Sequence, residues 1–177
     1  MKMVVKQMSP YVDGNKKLNV VIETPKGSRI KYAYDFETGL LKLDRTLPEG
    51  MVFPFNFGFI PGTKAEDGDP LDLLVLNEEP LFPGCLVNAR LIGVILAQQT
   101  EKGETVQNDR LIGLAIGKDA PTSQHSAELD KRTATEIECF FVNYNKLAGR
   151  RFKIRGRGGP KKAMSIVHQY EEKQVQE

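Results

Sequence analysis

The chain has 177 residues, enough for one domain, 1–177, around a single core. Its 40% hydrophobic and 27% charged residues are ordinary for a soluble globular protein, and no apolar run approaches the roughly 20 residues that span a bilayer. A net charge of +2 makes no case for a nucleic-acid partner. Cys85 and Cys139 are too few for a disulfide framework and do not have zinc-site spacing. The opening residues, MKMVVKQMSP, lack the apolar stretch and cleavage site of a secretory signal, so the expected compartment is the reducing cytoplasm, away from membranes.

From about 18 to 114 short apolar runs alternate with turn residues. Strands are predicted over 18–23, 30–35, 40–43, 72–76, 85–96 and 111–116. Between them stand good turn formers: Pro25 to Gly27, Thr38-Gly39, Pro48 to Gly50, Asp67-Gly68 and Pro83-Gly84. Many short strands so punctuated point to a small closed or nearly closed barrel rather than a parallel α/β sheet. The last third changes period. Ile137, Phe140, Phe141, Tyr144 and Leu147 recur every three or four residues and predict one helical stripe. Thr133 and Glu136 suggest a capping box at its start, and Gly149 a stop. A second helix is expected from Pro160, with Ala163, Ile166, Val167 and Tyr170 facing inward. The class is α+β.

The most informative stretch is Asp67-Gly68-Asp69-Pro70-Leu71-Asp72-Leu73. Three carboxylates within six residues lead directly into an apolar strand, where they repel one another and lose solvent. A divalent cation relieves that cost, and hard oxygen ligands suit Mg²⁺ or Mn²⁺. Gly68 permits a sharp turn and Pro70 limits how the acids splay. The alternative is a plain polar turn, since Asp-Gly and Asp-Pro both form turns readily. An EF-hand is excluded, because no acid stands at the twelfth loop position and no helix precedes the loop.

This heptad resembles the signature of the family I soluble inorganic pyrophosphatases, with departures that look like a divergent bacterial-type subfamily. The resemblance runs from about 20 to 144. It implies a five-stranded OB-like β-barrel with flanking C-terminal helices, and Mg²⁺-dependent hydrolysis of pyrophosphate to two phosphates by direct attack of a metal-activated water. It further implies a homo-oligomer, often a hexamer in bacteria. By resemblance Asp67 and Asp72 hold Mg²⁺, and Asp69 accepts the proton of the attacking water. Lys31, Arg45 and Tyr144 contact phosphate, and Glu23 lies at the edge of the site. No histidine flanks the motif and no cysteine or serine nucleophile has an adjacent base, in keeping with direct attack by water; His125 and His168 receive no role.

The departures are specific. Phe53, Phe57 and Phe59 stand where the family has tyrosines, and the hydroxyl lost at Phe57 costs about 1.5–3 kcal/mol of contact with a charged group. Ala33 stands in place of an active-site glutamate, and Asn145 intervenes before Lys146. In the hairpin 94–112 the family supplies two metal-binding acids and a lysine. Arg110 takes the lysine's place. Asn108, or Asp109 after a one-residue shift, takes one acid position, and Gln99, or Glu101, the other. Asp109 is preferred because a neutral Asn compensates less positive charge. A solvated hairpin tip is the alternative for Glu101 to Glu104. Two other functions stay open: a weakly active or inactive paralogue binding nucleic acid through the basic run 149–162, whose alternative is a solvated helix connection, or a hydrolase of another phosphoanhydride.

Overall fold

Every residue from Leu73 to Leu76 is buried, because this strand has a core on both faces. The computed structural model describes residues 5, 8–12, 17–117 and 128–171; His125 lies outside them. Its elements in chain order are β1 (Tyr11–Val12), β2 (Lys17–Thr24), β3 (Ile30–Asp35), β4 (Leu40–Thr46), β5 (Asn56–Phe59), β6 (Asp72–Leu76), β7 (Leu86–Glu101), β8 (Glu104–Gln107), β9 (Arg110–Ile116), α1 (Lys131–Leu147), β10 (Arg151–Gly158) and α2 (Pro160–Tyr170).

Five of the strands close a ring. β2 pairs with β5, β5 with β6, β6 with β9, β9 with β7, and β7 returns to β2. This is the expected five-stranded OB-like barrel of an α+β protein. Its one parallel pairing is β6 with β9, where Leu73 faces Leu111 and Val75 faces Gly113. Alternation along β6 then sorts the side chains. Leu73 and Val75 join Leu18, Val20, Ile22 and Leu111 in one cluster, to which α2 adds Ala163, Ile166 and Val167. Leu74 and Leu76 join Ile112, Leu114 and the α1 residues Ile137, Phe141 and Tyr144 in the other. Outside the ring, β3 and β4 form a two-stranded sheet of their own.

Three expectations need correction. The helix α1 begins one turn before the Thr133–Glu136 pair: Asp130 is the N-cap, its side chain accepting from the Thr133 N–H at 2.9 Å. Thr133 turns its hydroxyl to Asp130, and Glu136 pairs with Arg132 at 3.1 Å. Leu147 is 61% exposed at the last position of α1, although Tyr144 and Asn145 of the same turn are buried. The basic run is not a helix connection. It forms β10 on the edge of the sheet, paired to β7, with Phe152 buried in the core and Arg151, Lys153, Arg155 and Arg157 exposed. The strand β5 was missing from the predicted set altogether. No helix among the described residues is long and apolar enough to cross a membrane.

Candidate active site

The aspartate turn is built by its own backbone. The Ala65 N–H donates to the Asp69 carbonyl at 2.8 Å, the Gly68 N–H to the Ala65 carbonyl at 3.0 Å, and the Asp69 N–H to the Asp67 carboxylate at 3.1 Å. Gly68 adopts φ +89°, a conformation side chains disfavour. Asp72 then sits as the first residue of β6, one step before the Leu73–Leu111 pair. That parallel register sets Asp72 beside Arg110, the first residue of β9.

Asp67, Asp69 and Asp72 line one wall of a cavity of about 300 Å³. Lys31, Asp109, Arg110 and Tyr144 line it too, so seven of the predicted residues meet there. Arg45, Glu23 and Glu101 are not on its wall. Arg45 lies just behind, its guanidinium 5.8 Å from the Tyr144 ring. It is the register partner of Lys31, and both reach Asp44, at 3.3 and 3.0 Å. Partial burial would raise the Asp44 pKa, but Lys31 and then Arg45 hold it below the usual carboxylate value. Asp44 was not singled out from the sequence, although its position between two strand cations was visible.

Glu23 is buried at the end of β2, where one carboxylate oxygen accepts from the Tyr34 N–H at 2.7 Å. Burial pushes its pKa up to about 7, and the nearby Asp72 and Asp69 add to that against the Tyr34 N–H and Lys31. Asp69 is raised by burial, then by Asp67 and Asp72. Asp72 is raised by burial, against the pull of Arg110 and Lys31. Acids that resist ionisation together are short of positive charge.

Arg110 supplies part of that charge. It is buried, donates to Asp72 at 2.5 Å and also to the Asn108 side-chain oxygen, and stacks 4.8 Å from the Phe141 ring and 5.6 Å from Phe152. Asn108 in turn donates to the Gln99 side chain at 3.0 Å, and both line the cavity. An amide pair therefore stands beside the carboxylates, at the two positions that counting back from Leu111 had suggested. Asp109 reaches the cavity as well, but one of its oxygens already accepts from the Ala97 N–H at 2.9 Å and from the Gln107 amide at 2.5 Å. Glu101 is half-exposed near the β7–β8 tip, 3.8 Å from Arg150.

The donor set suits a hard divalent ion: carboxylate oxygens, mutually repelling and incompletely neutralised. Among the described residues, no group of three acidic, histidine or cysteine side chains is arranged to enclose an ion, so solvent or substrate oxygens would complete its shell. The cavity also holds unpaired buried polar atoms. The Tyr144 hydroxyl and the Nε atoms of Arg110 and Arg150 have no hydrogen-bond partner. Phe53 and Phe57 form its apolar floor, with the Lys31 ammonium 5.8 Å from the Phe57 ring.

The family profile described as inorganic pyrophosphatase matches residues 20–174. The chain belongs to the inorganic pyrophosphatase family. It is 39% identical to an inorganic pyrophosphatase of Sulfolobus acidocaldarius, over 91% of this chain and 93% of the relative. It is 44% identical to soluble inorganic pyrophosphatase 5 of Arabidopsis thaliana over 72% of this chain, which spans 58% of that longer relative. The fold is that of the Thermus thermophilus inorganic pyrophosphatase, with a TM-score of 0.82, 36% identity, and 93% of this chain and 94% of that one covered.

Proposed function

We propose that this chain hydrolyses inorganic pyrophosphate to two phosphates in a Mg²⁺-dependent reaction, by direct attack of water. The observation that carries the reading is that Asp67, Asp69 and Asp72 line one cavity together with Lys31, Arg110 and Tyr144, in a volume that suits a small polyanion. Asp67 and Asp72 are the residues that would hold Mg²⁺, with Asp109 lending its second oxygen. Mn²⁺, another oxygen-seeking ion, is the alternative. The bound ion supplies positive charge and lowers the pKa of a water molecule.

Asp69 accepts the proton of the attacking water. Burial, then Asp67 and Asp72, raise its pKa and make it a stronger base than an exposed carboxylate. Lys31 and Arg45 gather charge on one side of the bound anion and Arg110 on the other, and the Tyr144 hydroxyl donates to a phosphate oxygen. Glu23 and Glu101 set the edge of the site. The apolar floor of Phe53 and Phe57 limits water around the anion and so strengthens each of these interactions. We further propose a homo-oligomer, a hexamer by resemblance, working in the cytoplasm. Phosphate release from pyrophosphate with and without Mg²⁺ tests the reading: release is expected with the ion, and its absence in both conditions would overturn it.

A further inference from the structure

The turn that ends α1 places a cation no sequence motif had singled out. Gly149 adopts φ +73°, its N–H donates to the Lys146 carbonyl at 3.1 Å, and the next N–H, of Arg150, donates to the Asn145 carbonyl at 2.8 Å. This pair of bonds is a Schellman motif, which folds Arg150 back against the last turn of the helix. Gly149 is the residue that allows it, since a side chain there would be strained. The next residue, Arg151, pairs with Thr100 of β7. Arg150 is thereby fixed between the Tyr144–Asn145 turn and the tip of the β7–β8 hairpin.

The result is a guanidinium on the cavity wall. Its side chain is only 14% exposed and its centre lies 5.9 Å from the Tyr144 ring. The other two wall cations are already engaged, Lys31 with Asp44 at 3.0 Å and Arg110 with Asp72 at 2.5 Å. Among the described residues, the one acid that pairs with Arg150 is Glu101, half-exposed and distant at 3.8 Å. The Arg150 Nε has no partner, nor has the Tyr144 hydroxyl beside it. A desolvated guanidinium with unused donors is costly unless something fills them. Its planar fork matches two phosphate oxygens.

We infer that Arg150 is a phosphate-binding residue of this site, acting with Tyr144 on one phosphoryl group, and that Glu101 is its stand-in partner when no anion is bound. The inference rests on the cavity being the pyrophosphate site. It gives the otherwise solvated Glu101 a role: a weak, exposed counter-ion holds the fork near its working position and yields to a dianion.

The test is direct binding of imidodiphosphate, a non-hydrolysable analogue, in Mg²⁺ by calorimetry, with thermal melts as a fold control. For Arg150→Gln the dissociation constant is expected to rise about tenfold or more, as for loss of a charged hydrogen-bond donor. Arg150→Lys should lose about threefold or more, but less than Gln, because it keeps charge and loses the fork. It decides the matter if the Gln variant does not fold. Glu101→Gln should bind as tightly as wild type or tighter. A purely structural Arg150 would lower the melting temperature and leave binding within twofold of wild type, and that result would overturn the inference. So would wild type failing to bind the analogue. Wild type that binds it with the expected Arg150 dependence, yet releases no phosphate from pyrophosphate, would overturn the hydrolase reading and leave this inference standing.

Discussion

Replacing Glu23 by Gln tests the electrostatic tension behind the aspartate turn. Glu23 is buried, and burial, helped by Asp72 and Asp69, raises its pKa from the ordinary 4.5 to about 7. The folded state therefore holds this proton more tightly than the unfolded chain does. That preference stabilises the fold fully below pH 4.5 and is lost as the pH rises through 7. Above 7 the ionised carboxylate in its buried site leaves the wild type lower by about 3 kcal/mol, at about 1.4 kcal/mol per pH unit of separation. Gln keeps an oxygen for the Tyr34 N–H and carries no charge. In urea unfolding with chelator present, the variant should match wild type near pH 4 and exceed it by about 3 kcal/mol near pH 8.5. Added Mg²⁺ should narrow that difference, because it supplies the charge Glu23 lacks. A difference that stays flat across the range, or a variant less stable than wild type at pH 8.5, would refute the reasoning.

Three further substitutions probe the fold and the site. Arg110→Met removes a buried guanidinium from Asp72, Asn108 and the Phe141 and Phe152 rings. Leaving Asp72 unpaired should cost about 3–5 kcal/mol of stability in chelator, and less in Mg²⁺, as read from unfolding curves in the two conditions. Asp130→Ala removes the N-cap of α1; it should cost about 1 kcal/mol, while Glu136→Gln, on the exposed pair with Arg132, should change stability by less than about 0.5 kcal/mol. Equal effects of these last two would restore the capping box the sequence had suggested.

Much of the barrel was legible because its strands alternate and their turns carry Gly, Pro and Asp. The run 30–35 emerged with its predicted ends, and Pro160 does open α2. The strand β5 was hidden because Asn56-Phe57-Gly58-Phe59 is buried along its whole length and shows no alternation. The strand β10 was hidden differently. Its Arg-Phe-Lys-Ile-Arg alternation is plain, but high charge and glycine made it read as a connection. The cap of α1 was misplaced because Thr133 and Asp130 both suit an N-terminus, and only the geometry shows which oxygen accepts from the backbone.

At the site, three acids within six residues could be read locally. The pairing of Asp72 with Arg110 could not, since it depends on a parallel register between strands 38 residues apart. Nor could the hairpin's contacts: Asn108 and Gln99 form a bonded pair on the cavity wall, Asp109 lines the same cavity, and Glu101 lies further along β7 near the tip. Arg150 was read only as part of the basic run 149–162, because a Schellman turn, rather than a motif, brings it to the cavity.

The central claim is that Asp67 and Asp72 hold a divalent ion and that Asp69 takes the proton from water. Phosphate release from pyrophosphate, measured in Mg²⁺ for wild type and Asp69→Asn side by side, tests it most directly. The account predicts an active wild type and a variant that still binds Mg²⁺ but is slower by about 100-fold or more. A variant as fast as wild type, or a wild type that releases no phosphate, would contradict it.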